Sequence, residues 1–443
     1  MTAGAFAGLA PCVHCGFCLQ SCPTFVVTGD EADGPRGRIV LLRALERGEL
    51  PPDDPSLIHH LDRCLGCRAC EPVCPSGVSY APALEEARRR FAMVRPVGSL
   101  ARAVLAIMAE PLMRAPVLAL TRVARPLASL AARAFPRTRL GFMAAMVAAT
   151  DRWSPGPGGP ADRRIGGRPG GPEVHHRPPV GPPIRTVHQT AALFRGCIMD
   201  GLFGHVHGAT QRTLLANGYD LLAVPGQGCC GALHAHAGLE EQARALARRN
   251  VIAFAHRVPD RVVVNAAGCG ATLKEYGRLL AGDPLEARAR AFAARVRDVT
   301  EALAEAGPRP GGTLGVSVAY DAPCHLVHAQ RVAAAPLAVL DAVPGLRRVP
   351  VEESEMCCGS AGSYSLTQSQ LSGEILARKV DAIRRARPDL VATGNPGCVM
   401  QIGAGLQQAG LVIPVVHPVE ILDHSYAAAG YYEPRAPGHG DGP

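Results

Sequence analysis

Cys12-Val13-His14-Cys15-Gly16-Phe17-Cys18 runs on through Leu19-Gln20-Ser21 to Cys22-Pro23. The same spacing returns at Cys64-Leu65-Gly66-Cys67-Arg68-Ala69-Cys70, then Glu71-Pro72-Val73, then Cys74-Pro75. Both stretches read C-x2-C-x2-C-x3-C-P. In this spacing three thiolates wrap three corners of a cubane 4Fe–4S cluster, and the fourth cysteine reaches across to the other cube. One cluster is thereby expected on Cys12, Cys15, Cys18 and Cys74, and a second on Cys64, Cys67, Cys70 and Cys22. Structural zinc is the alternative for C-x2-C pairs, but two complete copies with both prolines argue for iron. Clusters saturated by four thiolates leave no open iron for a substrate, so they carry electrons, and no catalytic residue is assigned to this chain. The 41 residues between Cys22 and Cys64 exceed what a compact ferredoxin needs, and Leu41–Leu50 reads as a helix between the motifs.

The other eight of the sixteen cysteines lie beyond residue 190 and form a second pattern. Cys197, Cys229-Cys230-Gly231 and Cys269 recur as Cys324, Cys357-Cys358-Gly359 and Cys398, each 127 to 129 residues later. Spacing this constant marks a duplicated unit, far longer than a solenoid repeat. Short apolar, β-prone runs alternate with helical stretches in both copies. They are Ala191–Phe194, Leu221–Val224 and Val262–Val264 in the first, and Gly315–Tyr320, Val349–Val351 and Leu390–Ala392 in the second. Such alternation predicts parallel α/β units with the cysteines in loops at strand C-terminal ends. Gly231 and Gly359 supply the backbone freedom that lets adjacent thiols converge. Each set of four thiols can hold a further iron–sulfur cluster, a zinc ion, or no metal.

The expected fold is thus a multidomain α+β and α/β chain, with a helical two-cluster ferredoxin-type domain followed by two tandem α/β Cys-Cys-Gly domains. Composition sets the boundaries: 1–95 for the ferredoxin-type domain, 96–150 for a basic helical segment, and 151–190 for a Pro/Gly-rich linker. The two Cys-Cys-Gly domains follow at 191–310 and 311–428, and 429–443 reads as a loose tail.

With 47 % hydrophobic and 19 % charged residues the chain is near the globular average. It has no uninterrupted apolar run of about 18 residues for a membrane span. Met1–Pro11 lacks a basic start and an apolar core, so a secretory signal is disfavoured. Clustered thiols fit a reducing cytoplasm, where they serve as metal or redox sites. The net charge of +8 is concentrated in residues 97–190, where thirteen arginines face only Glu110, Asp151, Asp162 and Glu173. Arginine accounts for all but Lys274 and Lys379 of the 46 basic residues, which reads as coding bias. Aromatics at 4 % and no recognition motif argue against nucleic acid. Neither Gly268-Cys269-Gly270 nor Gly359-Ser360-Ala361-Gly362 continues into a dinucleotide fingerprint, so no flavin or nicotinamide is expected on this chain.

Several histidines accompany the thiols. His325 and His328 flank Cys324, and His234 and His236 follow Cys230, where they can shuttle protons or simply pack. His205 and His207 are awkwardly spaced for one helical face, and His175-His176 lie in the linker. In the basic block Leu100, Val104, Leu105, Met108, Leu112, Met113, Val117, Leu118 and Leu120 describe helices with a broad apolar face. They either pack on the Cys-Cys-Gly unit or a partner, or rest on anionic lipid, which suits a quinone acceptor.

The motif Cys12 to Cys18, the run Gly29-Asp30-Glu31-Ala32-Asp33-Gly34-Pro35-Arg36-Gly37-Arg38-Ile39, and Asp62-Arg63-Cys64 to Cys74-Pro75-Ser76-Gly77-Val78 resemble the iron–sulfur subunit of bacterial glycolate oxidase. So do Gly268-Cys269-Gly270-Ala271, Lys274-Glu275-Tyr276-Gly277 and Cys357-Cys358-Gly359-Ser360-Ala361-Gly362-Ser363-Tyr364. More distant likenesses are the iron–sulfur subunit of anaerobic glycerol-3-phosphate dehydrogenase and the heterodisulfide reductase subunits; the alternatives to the glycolate reading are a Cys-Cys-Gly disulfide or quinone reductase and the iron–sulfur subunit of a glycerol-3-phosphate or lactate dehydrogenase. The resemblance implies a partner of separate FAD-binding subunits that oxidise glycolate to glyoxylate. Electrons would then pass through two 4Fe–4S clusters towards a quinone or other membrane acceptor, with the chain peripheral on the cytoplasmic face of the inner membrane. Heterodisulfide reductases add a cysteine three residues after the last one of each unit. Thr272 and Gln401 stand there in this chain, a departure from that cluster's ligand set.

Overall fold

The computed structural model describes residues 6–135, 138–153 and 189–432. Its N-terminal unit holds four helices with proline in the first turn: α1 (Pro23–Thr28), α2 (Pro35–Arg47), α3 (Pro55–Asp62) and α4 (Ala81–Val94). Proline is pre-set for that position and gives up no helical hydrogen bond there. Ile39, Leu42 and Leu45 of α2, Leu57 and Leu61 of α3, and Ala83, Leu84, Ala87 and Phe91 of α4 recur at helical spacing and close one small core. The helix expected at Leu41–Leu50 is α2, which starts earlier, at Pro35, and stops at Gly48, whose φ of 73° ends it.

Four further helices form the basic block: α5 (Ser99–Ala109), α6 (Pro111–Val123), α7 (Arg125–Ala134) and α8 (Arg139–Ala148). Their inner face packs on the units that follow. Met108 and Leu118 join the main core, and Ala145 and Met146 pack with Ala404. The outer face is also apolar, with Leu112, Leu120, Val123, Leu127, Leu130 and Leu140 exposed. Among the described residues no single helix is long and apolar enough to cross a membrane.

Two four-stranded sheets follow, each wholly parallel. In the first, β1 (Gln189–Phe194), β2 (Tyr219–Leu221), β3 (Arg261–Val264) and β4 (Val296–Asp298) lie in the order β2-β1-β3-β4. In the second, β5 (Ser317–Tyr320), β6 (Arg347–Val349), β7 (Leu390–Ala392) and β8 (Val415–Val416) lie in the order β6-β5-β7-β8. The identical order carries the sequence repeat into topology. The central strands are Val/Ala-rich and buried, as doubly covered parallel strands must be. The two units share one core, in which Val206, Leu214 and Tyr219 of the first meet Leu340, Leu422 and Tyr426 of the second.

Several expectations need correction. The second strand of each unit begins two residues before its apolar run, at Tyr219 and Arg347, and β4 and β8 were not foreseen. Residues 429–432, expected to head a loose tail, are packed: Tyr431 lies against Tyr426 and donates to the Pro310 carbonyl at 3.1 Å. Of the expected linker, residues 154–188, with His175-His176, lie outside the described residues, while Gln189 and Thr190 already belong to β1.

Candidate functional site

The two N-terminal motifs adopt the same backbone path. Left-handed conformations fall at His14 and Gly16 in the first and at the equivalent Gly66 and Arg68 in the second. These turns swing successive thiols inward. A non-glycine residue pays about 1–2 kcal/mol in that region, and both are tied down by side chains. The His14 carbonyl accepts from Arg36 at 3.1 Å, and Arg68 pairs with Glu71 at 2.9 Å and with Glu275.

Cys12, Cys15, Cys18 and Cys74, together with Cys70, line a cleft of about 450 Å³. Cys22, Cys64, Cys67 and Cys70 line a neighbouring one of about 350 Å³. The clefts share Pro35, Cys70 and Tyr80 in their walls. Polar hydrogens already point at sulfur: Gly66 N lies 3.4 Å and Tyr80 Oη 3.8 Å from Cys64 Sγ, and Val78 N lies 3.5 Å from Cys74 Sγ. Burial pushes the Cys18 thiol up to about 11 and raises those of Cys67 and Cys70 well above the usual range. Thiols so buried become thiolates only when a cation takes the charge, so the donor set fits a sulfur-ligated metal cluster.

The first cleft opens at the surface beside exposed Val13 and Phe17. The second lies deeper, where Leu65, Cys67 and Ala69 pack against Cys324, Cys357 and Tyr364 of the second Cys-Cys-Gly unit. Tyr364 Oη donates to the Arg63 carbonyl at 2.8 Å and fixes that contact.

The Cys-Cys-Gly thiols gather in two sets at the carboxyl ends of the strands. Cys197 follows β1 and Cys324 follows β5, at the point where strand order reverses and open α/β sheets leave a crevice. Cys269 and Cys398 were expected in loops but lie in the first turns of the helices Ala267–Lys274 and Pro396–Gln408. Gly231 and Gly359 both have φ of 87°, and a Cβ on either would stand 3.2 Å from the Ala243 carbonyl or 2.8 Å from that of Ser372. Only glycine lets the adjacent cysteines turn there.

Cys230 and Cys269 sulfurs are 3.2 Å apart, Cys358 and Cys398 3.4 Å, and Cys324 and Cys357 3.8 Å, while Cys197 contacts Cys229. None of the sixteen cysteines is in a disulfide. A metal–sulfur bond of about 2.3 Å to a single tetrahedral ion gives an edge near 3.8 Å, which the Cys324–Cys357 pair matches and the other two pairs undercut. Asn395 Nδ2 donates to Cys398 Sγ at 3.3 Å, a contact the sequence did not single out.

The histidines divide. His325 Nδ1 lies 3.5 Å from Cys324 Sγ, and its ring faces His236 at 5.7 Å, so these two border the thiols. His328 and His207 bond to the Glu355 and Arg195 carbonyls at 3.0 Å, and His205 lies 3.4 Å from Glu420; these are framework contacts. His234 is buried. Sequence reasoning quoted Arg38 but gave it no role. It is 1 % exposed and lines the second cleft; an arginine four residues into an otherwise amphipathic helix, on its buried face, was the available signal.

Two abutting four-thiol clefts in a small helical domain, wired onto a duplicated thiol-bearing α/β unit, define an iron–sulfur electron-transfer subunit. The comparisons agree. A 4Fe–4S dicluster domain matches residues 8–78, and a cysteine-rich domain matches residues 191–274 and again 318–403. The chain is 35 % identical over 440 residues to a probable glycolate oxidase iron–sulfur subunit of Bacillus subtilis (strain 168), covering 96 % of this chain and 94 % of that one. It is 32 % identical over 432 residues to the glycolate oxidase iron–sulfur subunit of Escherichia coli (strain K12), covering 94 % of each. Lactate utilization protein A of Geobacillus kaustophilus (strain HTA426) is 31 % identical over 235 residues, which is 52 % of this chain and 98 % of that protein. The chain belongs to the glycolate oxidase iron–sulfur subunit family.

Proposed function

We propose that this chain carries electrons for a glycolate oxidase, or glycolate dehydrogenase, complex. Partner FAD-binding subunits oxidise glycolate to glyoxylate and take up two electrons and two protons. In the proposed assignment Cys12, Cys15, Cys18 and Cys74 hold one 4Fe–4S cluster and Cys64, Cys67, Cys70 and Cys22 the other. When bound, such clusters accept and release one electron each, which suits onward transfer to a quinone or other membrane acceptor. The observation that carries the reading is the pair of abutting clefts, one opening at the surface and one facing the Cys-Cys-Gly units. Val13 and Phe17 offer the partner an apolar edge beside the first cleft.

The Cys-Cys-Gly sets are proposed as a further iron–sulfur or zinc centre. The exposed apolar face of α6 and α7, with Arg122 and Arg133 on the same helices, supports peripheral contact with an anionic membrane on its cytoplasmic face. Lactate utilization protein A among the relatives keeps a second reading open for the partner, lactate in place of glycolate. The test is iron, acid-labile sulfide and zinc per chain after anaerobic purification, with EPR of the dithionite-reduced sample. About 8 iron atoms are expected for two four-iron cubes, and about 12 to 16 would mean that the Cys-Cys-Gly units carry clusters too. Fewer than about 4 would end the two-cluster reading.

A further inference from the structure

Arg38 lies on the inner face of α2 and is 1 % exposed, among the largest fully buried side chains of the protein. Its Nε donates to the His60 carbonyl at 2.8 Å and its Nη1 to Thr24 Oγ1 at 3.0 Å. Nη1 is also 3.8 Å from Cys22 Sγ, and the side chain forms part of the wall of the second cleft. Nη2 has no hydrogen-bond acceptor among the described residues. The nearest carboxylate, Asp33, is wholly buried, and its Oδ1 stands 3.7 Å from Nη2, beyond hydrogen-bond reach. Asp33 is moreover shared: Arg63 pairs with its Oδ2, and His60 Nδ1 lies 3.0 Å from Oδ1. Arg38, the one of these three groups that lines the cleft, is thus only partly neutralised by Asp33 and keeps one N–H group without an acceptor. A buried guanidinium so loosely held by its carboxylate is costly, and an anionic group in the cleft it lines would complete its neutralisation.

The first cleft is built differently. Its arginine, Arg36, is one-third exposed and is neutralised by a two-point pair with Glu31 at 2.6 and 3.0 Å.

We propose that Arg38 is a positioning residue that holds a fixed positive charge against the centre bound by Cys22, Cys64, Cys67 and Cys70, and thereby makes it the more easily reduced of the two. The inference rests on the two-cluster assignment above. A four-iron cube with four thiolates is formally a dianion, and one-electron reduction adds a further negative charge. Charge and hydrogen bonding at the sulfurs set the reduction potential, and Arg38 supplies both. Electrons arriving from the partner then settle on the deeper centre, next to the Cys-Cys-Gly units, and not on the one open to solvent.

The experiment is an EPR-monitored redox titration of the full-length, cluster-loaded chain as wild type, Arg38→Gln, Arg38→Lys and Asp33→Asn. The centre lost in Cys64→Ser identifies the signal to follow. Arg38→Gln is expected to lower the reduced-to-oxidised ratio of that centre at a fixed potential by about tenfold or more, equivalent to ~59 mV for one electron. Arg38→Lys should recover most of it, Asp33→Asn should move the centre in the opposite direction, and the other centre should stay put. A purely structural Arg38 would alter stability or loading and leave the potentials where they are. If Arg38→Gln fails to load, Asp33→Asn decides: a rise supports the proposal, and an unmoved potential overturns it. Wild-type chain holding fewer than two clusters would instead overturn the cluster assignment.

Discussion

Buried sulfur must find a cation, and this single requirement explains most of the chemistry of the N-terminal unit. Cys64, Cys67 and Cys22 are each less than a tenth exposed, and burial holds the Cys67 thiol well above its usual range, so that sulfur is stable as a thiolate only beside a cation. The proposed cross-ligation by the fourth cysteine of each motif then makes a sharp prediction. Cys22→Ser should remove the centre that Cys64→Ser removes, and Cys74→Ser the one that Cys12→Ser removes, with iron falling from about 8 to about 4 per chain. The double variant Cys12→Ser, Cys74→Ser should lose no more iron than either single one. Cys12→Ser, Cys22→Ser should lose nearly all, and iron analysis with EPR of each purified variant distinguishes this from uncrossed motifs. These cysteines were legible in the sequence because cluster spacing is local: three thiols two residues apart can wrap a cube wherever the chain goes. Arg38 was not legible. Its surroundings come from Thr24 in α1, His60 in α3 and Tyr80 before α4, which only the folded chain assembles.

Secondary-structure elements reveal where pattern reading gives way to tertiary context. The runs Leu221–Val224 and Val349–Val351 are for the most part only half-buried, and β2 and β6 are edge strands whose ladders lie two residues earlier, at Tyr219–Leu221 and Arg347–Val349. An edge strand pairs on one side only, so it need not coincide with the most apolar stretch. The strands β4 and β8 are three and two residues long, too short to show alternation, but each is followed by a capping box that closes its sheet against a helix. Asp298 with Glu301 caps Val299–Ala306, and His417 with Glu420 caps Pro418–Ala428. The second box holds a pH-sensitive group. Burial, chiefly, pushes the Glu420 carboxyl up to about 7, with Asp423 adding to it and the His417 N–H and Arg152 opposing it. Because the folded-state value lies above the unfolded one, its contribution to stability is complete below about pH 4.3 and is lost as the pH rises through about 7. Glu420→Gln should remove that loss and stabilise the protein by up to about 3 kcal/mol at pH 8, fading towards pH 4; denaturant melts at the two pH values measure it. A second test at this scale concerns α6. Leu120 and Val123 are 70 % and 78 % exposed and outside every core. Leu120→Glu with Val123→Glu should therefore leave iron content unchanged and lower co-sedimentation with anionic liposomes at low salt several-fold. Wild-type chain that stays in the supernatant would sink the lipid reading and leave this face to a partner subunit.

At the scale of the whole molecule, the order of the thiol sites is fixed by docking. The ferredoxin-type unit is held to the first Cys-Cys-Gly unit by Arg68 with Glu275 and by Arg278 with Glu85 at 2.6 Å, and to the second by Tyr364 on the Arg63 carbonyl. Cys67 accordingly packs with Cys324 and Cys357, whereas Cys197 and Cys229 pack with Leu246 and with Ala109 of α5. The two thiol sets, equivalent in the repeat, are therefore not equivalent in the molecule: one borders the deeper cleft and the other the helical block with the exposed apolar face. The duplication was written in the sequence as a constant period; this inequivalence was not, because it depends on which copy the N-terminal unit touches. It gives a test of what the duplicated unit does. Cys357→Ser and Cys229→Ser should each leave the eight N-terminal cysteines, and their clusters, untouched and reducible by dithionite. If the duplicated unit is structural, reduction of a quinone analogue or dye by the reconstituted complex should persist in both variants at a substantial fraction of the wild-type rate. Loss of all acceptor reduction in either variant, with the N-terminal clusters still reducible, would transfer the final step to the Cys-Cys-Gly thiols. Loss confined to Cys357→Ser would go further, since only the set bordering the deeper cleft would then lie on the electron's route.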